Sequence, residues 1–571
     1  MNRTSVAGLL ALLLISSPAL PQSAVASPDT TIQITSRIVY VDVVVRDSYG
    51  HIVRGLTAKD FRVLEDGKEQ RLDFFRDYTQ NKLTAASDEV SKHDPLSFSN
   101  VDSRGEGASS VNIILFDFFN TAPQDYGYAR KQMIHFLEEL PPGRQTALFV
   151  LGTRLKMLQG FTGSTDRLVA AAKAMKLETS TVETTGEQQQ DIALGQAFAK
   201  AIGGNPSGHN VMSEQFDMAH GQDEIRAYDL TKTALDQIGA AVSGYPGRKN
   251  LYWLGETFPF FGGPVLELND AYHAVLNNTM STQDEADANK TEATAQIAVY
   301  PISLLGLEVG GIGSESSVDP QNGKELARQF NQRIAMHEML NRLADTTGGR
   351  AYYGTNDFAG ALQKGFEDGS SYYSLAYRPE NLKWNGHYRN ISVKLAPRGY
   401  SLSYRRGYYA VPNQTATSAN ADNVMTEALQ PDTPQDTMLR LKSTVALPDA
   451  AHPTVRVDSV IDPGNVDFRT DAQGRRHARL LVTLEALPDP LPSNAPPGAQ
   501  AQPPQTSGMY VVDVDDAAFR KVLAEGMPAH QQIALPPGHY RLRLGVCDLG
   551  NRRIGTLDMP VTVEALHTAS R

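Results

Sequence analysis

The stretch "VNIILFDFFNTAP", residues 111–123, decides the fold class. Its unbroken apolar run is typical of a strand that is buried on both faces of a parallel sheet. The run ends in an acidic residue, Asp117, and a polar turn, and Pro123 lies where a following helix would begin. A buried strand followed by a polar turn and a helix indicates a doubly wound α/β domain, which binds ligands at the carboxyl ends of its strands.

Segments further along the chain repeat this pattern. Short apolar runs recur at 145–151, 249–255 and 298–305. Between them lie three apolar stripes with helical spacing, which comprise Met133, Phe136, Leu137 and Leu140; Leu230, Ala234, Ile238 and Ala241; and Met336, Leu340, Leu343 and Thr347. We therefore predict an α/β domain over residues 111–410. The Tyr-rich strands after Phe366 are expected to close this domain or to extend its sheet.

Both flanks of the α/β domain have the two-residue period of β-strands. Alternating apolar residues and a hairpin signal at Asp66-Gly67 predict an N-terminal β-sandwich over residues 27–80. A second β-rich region predicts an immunoglobulin-like β-sandwich over residues 438–571. The polar stretches 81–110 and 411–437 are interpreted as linkers.

Composition and charge exclude some partners. The chain has 571 residues, with 53 Lys and Arg against 64 Asp and Glu, and a net charge of -11. Nucleic-acid binding needs a basic surface that releases counterions, and no stretch is dense in Lys and Arg. We therefore expect no nucleic-acid partner.

The first residues predict export. Arg3, an apolar run from Val6 to Ile15, and "AVA" at 24–26 have the order of a cleaved signal peptide, with residues 1–26 removed. The run is too short for a retained membrane anchor, and no later stretch is apolar for long enough to cross a bilayer. The single Cys, Cys547, cannot form an internal disulfide. We expect a periplasmic, cell-surface or secreted protein without a transmembrane segment after cleavage.

Several segments together resemble one family. They are "VDVVVRDSYGHIVRGLTAKDFRVLEDGKEQ", "IILFDFFNTAP", "GRKNLYWLGETFP" and "LADTTGGRAYY…YYSLAYRP…YRNISVKL…YRRGYYA". In this order they resemble the acidobacterial von Willebrand factor A-related proteins, over roughly residues 31–410. The resemblance implies a Rossmann-like A-type domain between two β-sandwiches, and adhesion or binding of an unknown protein or envelope ligand outside the cytoplasm.

The resemblance also implies a metal-ion-dependent adhesion site. Such a site takes an Asp and two hydroxyl residues in the pattern D-x-S-x-S, a Thr from a second loop and an Asp from a third, because Mg²⁺ prefers oxygen ligands. The candidate ligands in this chain are Asp117, Thr121, Thr162 and Glu256. The pattern is degenerate, since Phe119 replaces the first hydroxyl residue and Gly255 replaces the third-loop Asp.

Two interpretations of this turn stay open at the level of the sequence. In the first, a weakly bound divalent cation bridges Asp117 to a carboxylate of the partner. In the second, which the ligand count favours, no metal binds, Asp117 caps the turn and Thr121 is the helix N-cap. The loop "GETFPFFGGP", residues 255–264, contains three Phe that form either an interaction patch or core.

Catalytic motifs give no positive signal. "HEMLN" at 337–341 lacks the second His of the zinc signature HExxH, and neither a P-loop nor a G-x-S-x-G elbow occurs. We therefore expect a binding protein and not an enzyme. The alternatives are a structural or assembly component of the envelope without metal, and an accessory part of an extracellular hydrolase.

Overall fold

The computed structural model describes residues 38–79, 96–101, 110–175, 211–256, 258, 297–306, 323–396, 398–410, 418–431, 433–449, 452–489 and 503–565. These residues all belong to one compact unit, Ser36–Arg571. The predicted signal peptide, 1–26, lies outside the described residues. Among the described helices, none has a window apolar enough for a membrane span.

The strands and helices are numbered here in chain order. The strands are β1 Val39–Arg46, β2 Phe61–Glu65, β3 Lys68–Gln70, β4 Leu72–Asp77, β5 Ser97–Ser99, β6 Ser110–Asp117, β7 Thr146–Leu151, β8 Leu155–Thr162, β9 Arg248–Gly255, β10 Ile297–Ser303, β11 Tyr373–Tyr377, β12 Tyr388–Leu395, β13 Ser401–Ser403, β14 Gly407–Tyr409, β15 Leu441–Ala446, β16 Val455–Ile461, β17 Arg469–Thr470, β18 Arg476–Pro488, β19 Gln505–Val514, β20 Met527–Ile533, β21 Gly538–Asp548 and β22 Ile554–Val563. The α-helices are α1 Pro123–Glu139, α2 Thr165–Ala174, α3 Val211–Val242, α4 Gly323–Thr347, α5 Phe358–Ser370, α6 Ser418–Ala428 and α7 Asp516–Glu525.

The central sheet has the strand order β10-β9-β6-β7-β8. The first four strands are parallel, and β8 runs antiparallel to β7 at the edge. A parallel bridge between Ile302 and Tyr352 continues the sheet beyond β10. Side chains of α1, α2 and α5 pack on one face, and side chains of α3 and α4 pack on the other. The prediction of a doubly wound α/β sheet is thus confirmed.

The N-terminal β-structure is built from two distant parts of the chain. One sheet has the order β13-β1-β11-β4 and the other β14-β12-β2-β3, and their facing side chains share one apolar core. The Tyr-rich strands β11, β12, β13 and β14 therefore pair with N-terminal strands. The prediction that they close or extend the central sheet is wrong: their alternating apolar side chains are buried against the Val side chains of β1 instead.

The C-terminal β-structure also consists of two sheets around one core. The orders are β20-β16-β15-β5 and β17-β18-β21-β22, with β19 paired to the free side of β18. Strand β5 and helix α6 fall in the two stretches interpreted as linkers, 81–110 and 411–437. In "SFS" the side chain of Phe98 packs on the sandwich core, and pairing with β15 satisfies the backbone.

Buried polar contacts connect the central sheet to both β-structures at the amino ends of its parallel strands. The guanidinium of Arg248, the first residue of β9, donates to the backbone oxygens of Asp42 (3.3 Å) in β1 and Gly348 (2.7 Å). Thr437, just before β15, donates through Oγ1 to the Ala241 oxygen at the end of α3 (2.9 Å). The bonds from Arg248 to Asp42 and from Thr437 to Ala241 exist only while the three parts stay together.

Candidate functional site

Three of the four predicted ligands lie at the carboxyl end of the central sheet. Asp117 is the last residue of β6 and Glu256 directly follows β9. These strands are parallel neighbours with Phe116 opposite Leu254, so the two acidic residues leave the sheet at the same edge. Thr121 lies in the turn between Asp117 and α1. The loop edge that the sequence predicts is therefore present.

The Asp117 carboxylate is buried and occupied by hydrogen bonds from the protein itself. The backbone N–H of Asn120 donates to Oδ1 (3.0 Å). The side-chain amide of Asn120 and the indole Nε1 of Trp253 both donate to Oδ2, at 2.8 and 2.9 Å. Burial raises the pKa of Asp117 to about 6, although these hydrogen bonds oppose the shift. Asp117 therefore holds the turn against β9.

The other turn residues also point inward. Phe119 is buried in the core on the α3–α4 face of the sheet. Thr121 donates its hydroxyl to the backbone oxygen of Asp117. The prediction that Thr121 is the N-cap of α1 is wrong, because the helix begins one residue later and its N-cap is Ala122.

Glu256 supplies the cap that the α1 sequence lacks. Its Oε2 accepts the backbone N–H of Ala122 at 2.9 Å. Its Oε1 is buried and has no donor among the described residues. Burial, together with hydrogen bonding to the adjacent Asp125 carboxyl, raises the pKa of Glu256 to about 8. Glu256 is therefore mostly protonated at neutral pH and below. Its protonated carboxyl can share a hydrogen bond with the Asp125 carboxylate.

Tyr126, in the first turn of α1, also bonds to the turn after β6. Its hydroxyl donates to the backbone oxygen of Phe118 at 2.6 Å. Burial, with smaller contributions from the charges of Asp117 and Glu256, raises the pKa of Tyr126 to about 12. The phenol is therefore neutral at physiological pH and acts as a hydrogen-bond donor within the turn.

Thr162 lies at the opposite end of the sheet, and its predicted place at the site is wrong. It ends β8, but β8 runs antiparallel, so Thr162 is paired with Thr146 at the start of β7. Asp117 is paired with Leu151 at the end of the same strand. The five residue-to-residue steps from Thr146 to Leu151 correspond to roughly 17 Å at the usual rise of a strand. Thr162 instead accepts the backbone N–H of Ser164, ahead of α2.

The Phe-rich loop after β9 is described only at Phe258. This residue is buried and contacts Trp253 edge-on, with the ring centroids 4.8 Å apart. The sequence predicts that the Phe residues of this loop form either core or an interaction patch. Phe258 is part of the core. Phe260 and Phe261 lie outside the described residues.

The residues around Asp117 do not fit a divalent cation. A cation needs free oxygen lone pairs, and three N–H groups already point at the Asp117 carboxylate. Phe119 offers no oxygen, and the Thr121 hydroxyl is directed at a backbone oxygen. Over the part of the chain that the structure describes, no group of three or more His, Cys, Asp or Glu could hold a metal ion.

Sequence reasoning missed Asn120 and Trp253 as partners of Asp117. A signal for Trp253 was available, because an indole N–H in a fully buried strand needs an acceptor and a buried carboxylate next to that strand needs donors. Asn120 also donates to the Thr231 hydroxyl in α3 at 2.9 Å, a contact across more than a hundred residues that no local pattern reveals.

Comparison with known proteins gives only distant likeness. No family model and no curated protein matches the chain. Its structure is similar to proximal thread matrix protein 1 from the mussel byssus, with 11% identity over 45% of this chain and 46% of that one, and a TM-score of 0.21. It thus spans less than half of the mussel protein, another structure of which is described with a zinc-occupied MIDAS motif.

Two microbial proteins are also similar. BatB from Bacteroides thetaiotaomicron shares 13% identity over 46% of this chain and all of that one, with a TM-score of 0.19. The ArnB paralog VWA2 from Sulfolobus acidocaldarius shares 7% identity over 80% of this chain and 67% of that one, with a TM-score of 0.18. At TM-scores this low, the likeness is not evidence of a shared function, and the fold rests on the strand order itself.

Proposed function

We propose that the chain is an exported protein-binding protein of the von Willebrand factor A type, which binds its partner at the carboxyl end of the central sheet without a bound metal. The observation that carries this proposal is the saturation of Asp117 by Asn120 and Trp253. In this proposal Asp117 orders the turn, as a metal would, and the partner contacts the surface around it.

The donors at Asp117 make a bridging cation costly. To bind a metal, the carboxylate would have to lose hydrogen bonds from the Asn120 amide and the Trp253 indole. Both groups are buried, and a buried donor left without an acceptor costs about 1–3 kcal/mol. The oxygen ligands that would offset this cost are lacking at position 119. A weak Mg²⁺ site, the other interpretation of the sequence, is therefore not part of the proposal.

Exposed side chains beside this turn offer contact area. Tyr128, on the second turn of α1, is 47% exposed, and its hydroxyl donates to the backbone oxygen of Asn356. Leu305, just after β10, is 36% exposed. Tyr side chains are enriched at the centres of protein interfaces, because they bury a large area with few rotatable bonds. We propose that Tyr128 and Leu305 belong to the binding surface.

Export rests on the predicted signal peptide, residues 1–26. A single Cys suits an exported protein that is held together by packing, since no internal disulfide is required. The family resemblance of residues 31–410 supports the same compartment. We propose that the mature chain acts in the periplasm, at the cell surface or outside the cell.

The test is a pull-down of the mature chain against envelope extract, with and without chelator, together with calorimetry using Mg²⁺, Mn²⁺ and Ca²⁺. We expect no heat from any cation and capture that chelator leaves unchanged. Tyr128→Ala and Leu305→Asp should reduce capture, whereas Tyr49→Ala, at a fully solvated turn of the N-terminal β-structure, should not. Metal binding that Asp117→Ala abolishes would contradict the proposal.

A second candidate is a structural or assembly component of the envelope. The buried contacts of Arg248 and Thr437, which connect the three parts, favour it, because they suit a scaffold of fixed shape. Capture that neither Tyr128→Ala nor Leu305→Asp affects would support this candidate.

We further propose that the chain is not an enzyme. Asp117 is buried and held by turn contacts, Glu256 caps α1 through Oε2, and no catalytic motif occurs in the sequence. The accessory role in a hydrolase is the remaining alternative. Turnover of esters, glycosides or peptides by the purified chain would overturn this proposal.

A further inference from the structure

The C-terminal β-structure protects three of its four outer sheet edges. Strand β5 is only three residues long. The start of the β22 edge pairs with the segment before β15, where Leu439 donates to the Ile554 oxygen and Thr556 donates to the Asp436 oxygen, and Pro560 lies further along the strand. On β20, the Tyr510 hydroxyl bonds both the N–H and the C=O of His530. Such devices prevent an edge strand from pairing with another chain.

Over the part of the chain that the structure describes, the fourth edge, β19, has none of these devices. Its register with β18 runs from Gln505 to Val514 without a bulge, and the strand contains neither Pro nor Lys. Among the described residues, the only hydrogen bond to its backbone from outside β18 is from Arg475 to the Asp513 oxygen, near the end. Every second residue between these ends directs an N–H and a C=O away from β18.

The middle of the outer face of β19 is apolar, and no described residue covers it. Met509 is 51% exposed and Val511 is 66% exposed. Helix α6 covers the neighbouring strands, where Met425 and Leu429 pack on Cys547, but β19 lies beyond this cover. The row Met509, Leu481 and Cys547 is in register across β19, β18 and β21, so the apolar strip continues to the bare edge.

We propose that two copies of this chain pair through β19, antiparallel and around a two-fold axis at Tyr510, to form one sheet that continues across both molecules. This register places Met509 opposite Val511 of the second copy and Val511 opposite Met509, which forms a four-residue apolar cluster. It places Asp513 opposite Ser507, so the two Asp513 carboxylates stay apart.

Neighbouring registers are worse. An axis at Val511 sets Met509 against Asp513, and an axis at Met509 sets Val511 against Ser507. A register shifted by one residue would place the outward-facing side chains of one copy opposite the inward-facing side chains of the other. The contact is small, since it is one strand wide, which is typical of interfaces with weak affinity. A second copy is a suitable occupant because the strand is complementary to itself in apolar contact and because this register keeps the two Asp513 carboxylates apart.

Cysteine cross-linking tests the register. Native Cys547 is fully buried, so an introduced surface Cys reacts selectively. Met509→Cys and Val511→Cys, mixed under mild oxidation, should give a disulfide-linked dimer, because opposite Cα atoms lie about 5 Å apart in antiparallel strands. Each variant alone should give far less disulfide-linked dimer. In this register, residue 511 of one copy lies two positions away from residue 511 of the other, and the same holds for residue 509. Equal yields in all three samples would overturn the register.

Sedimentation velocity of the mature chain, over a concentration series, tests the interface. We expect a monomer–dimer equilibrium, and Val511→Lys should weaken the dimer about tenfold or more, since an edge Lys opposes pairing. Leu523→Lys is the matched control, because Leu523 is 52% exposed on α7 and lies off the edge. A monomer at all concentrations, or a dimer that Val511→Lys leaves unchanged, would overturn the proposal.

Discussion

The two ends of the central sheet use buried polar groups in opposite ways. At the amino end, Arg248 and Thr437 donate to backbone oxygens of other parts of the chain. At the carboxyl end, Asp117 and Glu256 accept from residues of the adjoining turn, strand and helix start. The comparison teaches that the amino end connects the central sheet to the two β-structures. The carboxyl end uses its buried polar groups to order its own loops.

Replacing Arg248 with Met should have the largest effect. The change leaves four buried acceptors without their donor, namely Asn250 Oδ1, the Tyr300 hydroxyl and the backbone oxygens of Asp42 and Gly348. We expect the free energy of unfolding to fall by about 4 kcal/mol or more, measured by chemical denaturation. Arg350→Met, at a largely exposed site, should cost less than about 1 kcal/mol. Similar losses for both variants would contradict the structural role of the amino end.

Replacing Asp117 with Ala should be the next most damaging change. The Asn120 N–H groups and the Trp253 indole lose their acceptor, so we expect the free energy of unfolding to fall by about 3 kcal/mol. In a Trp384→Phe background, the fluorescence of Trp253 should also change, because its indole loses its acceptor. Thr162→Val, at the other end of the sheet, is the control and should cost about 1 kcal/mol without affecting that fluorescence. Unchanged Trp253 emission in the Ala variant would refute the contact.

The carboxyl end should also respond to pH through Glu256. Its pKa is raised from 4.5 to about 8 on folding, so the folded chain binds more protons than the unfolded chain between these values. The stabilising contribution is therefore complete below pH 4.5 and is lost as the pH rises through 8. Asp117, raised from 3.8 to about 6, acts in the same direction at lower pH.

Glu256→Gln isolates this effect. The amide keeps an acceptor for the Ala122 N–H and gains a donor for Asp125, and it does not titrate. At pH 8 we expect the variant to be about 3 kcal/mol more stable than the parent chain, and at pH 5 about equally stable. The measurement is the denaturation midpoint at several pH values. A parallel decline of both proteins between pH 5 and 8 would show that Glu256 does not titrate there.

The sequence predicted the central sheet well because each strand carries its own signal. Unbroken apolar runs, such as 113–116 and 251–254, are typical of strands with both faces covered, and the structure covers them. Pairing across long separations carries no such local signal, which is why the Tyr-rich strands after residue 372 were assigned to the wrong sheet. The three residues of β5 are too short for any period to be visible.

The candidate site was predicted only in part, and for an identifiable reason. Asp117 and Glu256 follow parallel strands, so their position at one edge follows from strand direction alone. Thr162 ends β8, which carries no unbroken apolar run and returns antiparallel to β7, so that it ends at the opposite edge. The contribution of Asn120 and Trp253 depends on which side chains meet above the sheet, and this depends on packing.

The N-terminal β-structure has a consequence for how the chain folds as it is made. Val39 pairs with Tyr377, and Phe61 pairs with Leu395. During synthesis, the first strands emerge long before their partner strands have been made. They present unsatisfied edges until the whole central domain has followed, and contacts this distant in sequence also form slowly. A chaperone that holds the unfinished chain would therefore bind residues 39–77 for the longest time.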